Sequence, residues 1–419
     1  MREFEYPTLV RRYLLISTIS IVFSEAALFH AGVDVLLCYF VVLANIPILF
    51  LFWDFSLPKA YAAALAYLVA SGAIEAALGP DTLAQYSKEV TGIIVVSFYF
   101  YLFFRTSKWP VLHIFGIYAS AAFWVSLLGI LIFVAKLVAM HEISRVQSVL
   151  LEPAHFATIV LPALYYYAST RAECRFRKFR LATIFSAVVL SVSAVGFLGL
   201  LLSAALLLRK KPFGLLLAPL AVGALALVAY SGSEDVRMRV DDTFRSITSL
   251  EIAGANLSTY ALLSNAYVAL RAVEERPIFG YGVGGHVIAH AKYIGDLPEA
   301  AAFGEMSNLN AQDANSLFLR TVSEFGLVGV AFLFLFLLRF WAKGTSEAAS
   351  VNSAVFVYLF LYLLRGGNWF SPELYFFVWT YVLTGIGSRA GTRRPSQARQ
   401  LSWLKRVSLQ APVREEPAL

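Results

Sequence analysis

Residues 180–211 read RLATIFSAVVLSVSAVGFLGLLLSAALLLRKK. The 28 residues from Leu181 to Leu208 carry no charge. They lie between two basic clusters: Arg171, Arg175, Arg177, Lys178 and Arg180 before them, Arg209, Lys210 and Lys211 after them. A helix needs about 20 apolar residues to cross a bilayer. The block is therefore too long for one upright span and too short for two. Basic clusters favour the cytoplasmic face, so both ends of the block are expected on that face. The reading that satisfies both conditions is a pair of half-helices turning near Ser193-Ala194. Such broken segments are tolerated only where they line a protein cavity. One strongly tilted helix is the alternative, and it would reverse the orientation of everything downstream. Arg339, Lys343 and the basic tail (Arg389, Arg393, Arg394, Arg399, Lys405, Arg406) favour the pair.

The rest of the chain supplies spans on either side. Of 419 residues, 59% are hydrophobic and 15% charged, and mean hydropathy is +0.69. That excludes an ordinary soluble domain and fits a polytopic membrane protein. Apolar runs fall near 13–30, 33–53, 60–79, 89–107, 110–138 and 154–170, then 213–230, 318–341, 352–364 and 371–388. With the pair at 181–208, this predicts an all-α integral membrane protein of about twelve membrane segments, both ends cytoplasmic. Arg2, Arg11 and Arg12 put the N-terminus inside, and the first helix reads as retained. The organisation expected is an N-terminal bundle (1–230), one long periplasmic loop (231–317), C-terminal helices (318–388) and a basic cytoplasmic tail (389–419) without fixed structure. The net charge of +7 belongs to inward loops and the tail, so no nucleic-acid partner is expected. Cys38 and Cys174 offer neither a disulfide framework nor metal spacing.

Chemistry is expected on the outward side. Loop 231–317 is too long for an idle connection. Shorter outward loops run from His141 to Pro153 and from Arg365 to Glu373, the latter reading RGGNWFSPE. Positive charge is normally depleted there, yet Arg145, Arg245, Arg271, Arg320 and Arg365 persist. Guanidinium groups bind phosphate bidentately and keep their charge when partly buried. Arg145, Arg320 and Arg365 rank first because each abuts a span. Proton-transfer candidates are Glu152 and Asp313, with His286, His290 and Glu305 below them. Glu324 follows Arg320 by four residues, the spacing of an ion pair along one helix. Asp313 or Asn315 could also cap the next helix. Gly280, Gly282, Gly284 and Gly285 follow no buried strand, so they are no dinucleotide fingerprint. They let the backbone turn or approach closely. No motif for a metal or cofactor is present, and none is expected.

Three stretches in order carry a resemblance. Pro277-Ile-Phe-Gly280-Tyr-Gly282 is followed by Asn315-Ser-Leu317 and then by Glu324-Phe-Gly326-Leu-Val-Gly329. The arrangement resembles the O-antigen ligase/O-antigen polymerase superfamily. Arg145-Val-Gln-Ser-Val-Leu-Leu-Glu152-Pro153-Ala-His-Phe156 and Arg365-Gly-Gly-Asn-Trp-Phe are similar to segments of its polysaccharide-polymerase branch. Three departures stand out. Ala314 occupies the place where the ligase branch often has His. The turn reads Ser193-Ala194 where Ser-Arg is usual. An arginine about fifteen residues before Pro277 is missing, the nearest being Arg271 and Arg245.

The resemblance implies a GT-C-like membrane glycosyltransferase in a bacterial inner membrane. Its donor would be a polyprenyl-diphosphate-linked oligosaccharide presented at the outer face, with no metal or nucleotide sugar. Arg145, Arg245, Arg271, Arg320, Arg365 and Asn315 would hold the diphosphate and substrate. Glu152 or Asp313 would accept the hydroxyl proton. The expected activity is polymerisation of repeat units. A ligase that moves a finished glycan to an acceptor, and a flippase for lipid-linked glycans, are the alternatives. The bilayer, a chain-length regulator and export machinery are the implied partners.

Overall fold

The computed structural model describes residues 8–26, 28–30, 34–50, 57–77, 80–107, 109–141, 145–170, 176–209, 211–232, 234–249 and 255–390. Arg2, Lys108, Arg171, Cys174, Arg175, Lys210 and nearly all of the tail lie outside these. Among the described residues sixteen α-helices follow in order: α1 Thr8–Ser20, α2 Leu37–Phe50, α3 Lys59–Ser71, α4 Ala73–Ala76, α5 Pro80–Thr106, α6 Val111–Met140, α7 Pro153–Ser169 and α8 Arg177–Leu190. Then come α9 Ala194–Leu208, α10 Pro212–Gly232, α11 Glu234–Ser249, α12 Leu257–Glu275, α13 His286–Tyr293, α14 Leu317–Phe340, α15 Glu347–Arg365 and α16 Pro372–Ala390. Two three-residue strands, β1 Leu28–His30 and β2 Asp34–Leu36, pair antiparallel between α1 and α2.

Five described stretches are long and apolar enough to cross a membrane: Thr82–Thr106, Val111–Ala139, Phe213–Gly232, Leu317–Phe340 and Glu347–Arg365. The block at 181–208 breaks as its length demands. α8 ends at Leu190 and α9 begins at Ala194. At about 1.5 Å per residue, neither half spans a hydrocarbon core of about 30 Å. Val192 takes a positive φ of 45° at the break, and the Ser193 hydroxyl caps α9 by accepting from Gly196 N–H. Both halves pack on α7. Without a hydrophobic drive inside lipid, close backbone approach has to hold such helices together. A Cβ on Gly199 would lie 2.2 Å from Leu161 Cδ1 and 2.8 Å from Leu361 Cδ1, so α9 sits tightly between α7 and α15. Aromatic rings fill the centre where α5, α6 and α16 meet, with Phe100 and Tyr118 each against Phe376 at 6.0 and 5.8 Å.

The bundle has two chemically different ends. At one end lie Arg105, Arg177, Arg180, Arg209, Arg339 and Lys343. Arg209 Nη2 donates to Gly344 O at 3.4 Å, and Arg177 donates to the last carbonyls of α7, Tyr167 O at 2.6 Å and Ala168 O at 3.1 Å. Arg389 donates to Arg339 O. Asn352 fixes that end by accepting from Ala342 N–H at 2.8 Å and donating to Phe340 O at 3.1 Å. The opposite end gathers the starts of α7, α14 and α16 with the end of α15.

The segment read as a long loop, 231–317, is largely folded into α11, α12, α13 and short 3-10 turns. It is tied to α14 by a backbone seam. α14 breaks at Gly326, whose φ of 58° and ψ of −152° belong almost only to glycine. The freed carbonyls of Ser323 and Glu324 accept from Tyr281 N–H and Gly282 N–H at 2.9 and 2.7 Å. The freed N–H groups of Leu327 and Val328 donate to Pro277 O and Ile278 O at 2.9 and 3.1 Å. A Cβ on Gly280 would fall 2.6 Å from the Glu324 backbone, and one on Gly326 would fall 2.7 Å from the carbonyl oxygens of Pro277 and Ile278. The glycines are there because two backbones exchange hydrogen bonds at contact distance.

Candidate active site

A cavity of about 210 Å³ opens at the end of the bundle opposite the arginine cluster. Four sequence candidates line it: Glu152, Asp313, Asn315 and Arg365. Each arrives at an element end. Glu152 precedes Pro153, which opens α7; Arg365 closes α15; Asp313 and Asn315 sit in the turn before α14. Asp313 Oδ1 accepts from Asn310 Nδ2 at 3.1 Å and from Asn315 N–H at 3.0 Å, which holds the turn. Asn310, Ala314 and Asn315 all take positive φ there (60°, 56° and 52°), a sparsely populated region that the surrounding packing has to enforce. Gly367 supplies part of that packing, since a Cβ on it would lie 2.0 Å from Asp313 O.

Arg365 is the cation of this wall. Its Nη1 donates to Ser258 O at 3.4 Å, and no carboxylate among the described residues comes within ion-pair distance. Glu152 and Asp313 face it electrostatically. Sequence reasoning left out four further groups on the wall: Glu25, which follows α1, His155 on the first turn of α7, and Asn368 and Glu373 in the RGGNWFSPE stretch. His155 lies three residues after Glu152, inside a segment already singled out. Its position one helical turn on was the signal available. Glu25 carried none, because only the fold brings it to α7.

Arg320 is one loop away and does not reach the cavity. Only 1% of its side chain is accessible. Its Nη2 lies 2.8 Å from Glu89 Oε2, its Nε donates to Glu324 Oε1 at 2.8 Å, and its Nη1 donates to Gly367 O at 3.0 Å. Glu324 also accepts from Gly284 N–H at 3.1 Å and from Trp369 Nε1–H at 2.8 Å. The network joins α5, the glycine seam, α14 and the stretch after Arg365. Through Gly367 it sets the cavity wall without touching its contents.

The remaining candidates lie elsewhere. Arg145 donates from Nε to Ser191 O at 3.0 Å and from Nη2 to Val192 O at 2.9 Å. It satisfies carbonyls that the end of α8 leaves open, a favourable place for a cation. Arg271 is exposed on α12 and pairs with Glu274 at 2.7 Å. Arg245 is exposed on α11. His286 is fully buried between α12 and α14, with Nδ1 2.8 Å from Ser323 Oγ and Nε2 2.9 Å from Asn265 Oδ1. Asn265 Nδ2 already donates to Ala261 O and Leu309 O, so Nε2 must carry the proton and Ser323 donates to Nδ1. Burial, then the charge of Arg320, pushes the ring's pKa well below its ordinary value and keeps it neutral. His290 is buried on α13, and burial lowers it as well. The side chain of Glu305 lies outside the described residues.

Residues 179–334, from the start of α8 to most of α14, match the family model described as O-antigen ligase. This match, over little more than a third of the chain, supports the likeness to the O-antigen ligase/polymerase superfamily. No curated protein matches it. Of the cavity residues, Asn310, Asp313 and Asn315 fall inside the matched region. The rest of the wall comes from either side of it, so the cavity joins the shared domain to the part of this chain outside the match.

Proposed function

We propose that this protein is a polymerase of polyprenyl-diphosphate-linked oligosaccharide repeat units, working at the outer face of a bacterial inner membrane. The superfamily supports a membrane glycosyl-transferring enzyme. The observation that carries the finer reading is the meeting of Glu152, Asp313, Asn315 and Arg365 in one cavity. The cavity lies at the end of the bundle away from the arginine cluster, which the positive-inside tendency assigns to the periplasmic face. The same reading puts both termini in the cytoplasm and takes the chain to cross or enter the membrane in about twelve segments.

The reaction is displacement at an anomeric carbon. An acceptor sugar hydroxyl attacks, the bond from that carbon to the diphosphate oxygen breaks, and the lipid diphosphate leaves with the electron pair. Arg365, held at the wall with no carboxylate of the described residues in ion-pair contact, stabilises the charge that develops on the leaving group. Glu152 and Asp313 accept hydrogen bonds from sugar hydroxyls and orient the acceptor. Asp313 has one oxygen engaged in its turn, which leaves Glu152 the freer of the two.

Deleting the gene should leave single repeat units on the carrier lipid. Full-length polysaccharide in the deletion strain sinks the proposal. Long chains stranded on the carrier would point to the ligase reading, which the matched family's description also favours. Purified protein that lengthens glycan on a supplied lipid-linked oligosaccharide excludes a flippase.

A further inference from the structure

The proposed reaction requires an acceptor for the hydroxyl proton, and the cavity contains one imidazole among its described wall residues. His155 Nδ1 lies 2.5 Å from Glu25 Oε1. At that separation the carboxylate pairs with a protonated ring, and in a neutral ring it favours the tautomer with its proton on Nδ1. Glu25 is itself pinned, because its Oε2 accepts from Leu151 N–H at 3.0 Å. The ring is thus oriented from behind by a fixed carboxylate. In the neutral ring Nδ1 then carries the proton beside the carboxylate, and Nε2 keeps its lone pair. The side chain keeps 34% of its surface accessible against 14% for Glu25, so the imidazole is the exposed member and the carboxylate the backing. This is the arrangement in which a carboxylate fixes a tautomer and stabilises the imidazolium that forms.

Resting on the polymerase reading, we propose that His155 is the catalytic base and Glu25 its positioning residue. His155 Nε2 takes the proton of the attacking acceptor hydroxyl as the new glycosidic C–O bond forms. The bond from the anomeric carbon to the diphosphate oxygen breaks, and its electron pair departs on the diphosphate. Glu25 holds the imidazolium until water at the cavity mouth takes the proton away. No other reactant is consumed. Glu25, Glu152 and Glu373 surround the ring from three elements, and Arg365 and Asp313 share the cavity with it. The carboxylates that surround the ring suit an acceptor sugar with neutral hydroxyls.

The test has two readouts on full-length protein in proteoliposomes. The first needs no turnover. Carbethoxylation of His155 by diethyl pyrocarbonate is followed against pH by peptide mass spectrometry. Removing a neighbouring carboxylate charge with Glu25→Gln should lower the midpoint by about one unit or more. The second is extension of a lipid-linked oligosaccharide. His155→Gln should lower kcat about 10²–10⁴-fold with donor KM unchanged. Glu25→Gln should move the acid limb of the rate profile down with the carbethoxylation midpoint. An unchanged midpoint in Glu25→Gln overturns the pairing. Near-normal kcat and an unaltered pH profile in His155→Gln overturn the base assignment, while extension by the wild type leaves the polymerase reading standing. Failure of the wild type to extend any lipid-linked donor counts against that reading alone, because the carbethoxylation result is read separately.

Discussion

Two clusters of charge lie on opposite sides of Gly367. Behind it, Glu89, Arg320 and Glu324 are sealed, and Arg320 and Glu324 have their polar groups turned toward partners in the protein. In front of it, Arg365, Glu152 and the Glu25–His155 pair face a cavity. Along the sequence Arg320 and Arg365 look alike, since each is an arginine at the end of an apolar run. What separates them is what stands four residues on. Glu324 draws Arg320 along its own helix, whereas Arg365 is followed by two glycines that offer no partner. The lesson is that an arginine at the end of an apolar run is open to a ligand only where the local chain has nothing to neutralise it. The comparison breaks if the sealed cluster proves dispensable for folding or the open one indispensable.

The largest effect should follow from Arg320→Met. It leaves two carboxylates buried together, and breaking a buried pair from one side costs about 3–5 kcal/mol. Thermal unfolding in detergent should show a large drop, with activity lost alongside it. Because the defect is an uncompensated charge, the triple variant Glu89→Gln, Arg320→Met, Glu324→Gln should recover much of the stability. A single variant as stable as the wild type would show that the cluster is not the tie drawn here.

Arg365→Ala tests the other side. Its guanidinium makes one long hydrogen bond, so unfolding should barely move. Chain extension should fall about 10²–10³-fold, the size expected when a preorganised charge is removed from a developing anion. Loss of stability in step with activity would place Arg365 in the same class as Arg320 and end the distinction.

How much of this was legible depends on whether the signal was local. The break inside 181–208 was, because length against charge favoured a broken pair over one tilted helix, and the structure places it within a residue or two. Glu152, Asp313, Asn315 and Arg365 were each legible as candidates, but their meeting in one cavity was not, and Arg145, Arg271 and Arg320, which ranked beside them, lie elsewhere. Glu25 was not legible, because its role comes from the turn after α1 meeting the start of α7, a contact no local pattern encodes. Arg145 was assigned to a ligand because sequence cannot show that a neighbouring half-helix leaves carbonyls open. The glycines were legible as close-approach positions, though not as a seam. Gly326→Ala sharpens that point. A methyl group there meets two carbonyl oxygens at 2.7 Å in a backbone conformation nearly reserved for glycine. Stability should drop by about 1–3 kcal/mol, with the surviving fraction still able to extend glycan. A neutral result would mean that α14 can straighten and the seam can open.

The smallest effect is expected at Arg271, and it decides where the active region ends. By sequence it stands nearest the arginine expected before Pro277, and α12 belongs to the segment that packs on α14 through the glycine seam. In the structure it is exposed, paired with Glu274 at 2.7 Å and 5.9 Å from the Tyr293 ring. Exposed pairs of this kind contribute little, because water already solvates both partners. Arg271→Ala should therefore leave extension within about fivefold of wild type and leave unfolding unchanged. Suppose instead that extension fell by about two orders of magnitude, as for a charge aimed at the leaving group, with the fold intact. Arg271 would then have to meet the diphosphate, and α12 would have to swing over the cavity during turnover. The seam at Gly326 pins residues 277–282, between α12 and α13, so α12 would have to move about the chain just before Pro277. Arg365 and Arg271 would then form one site in two parts, and the boundary between charges that hold the fold and charges that face the substrate would move outward to include α12.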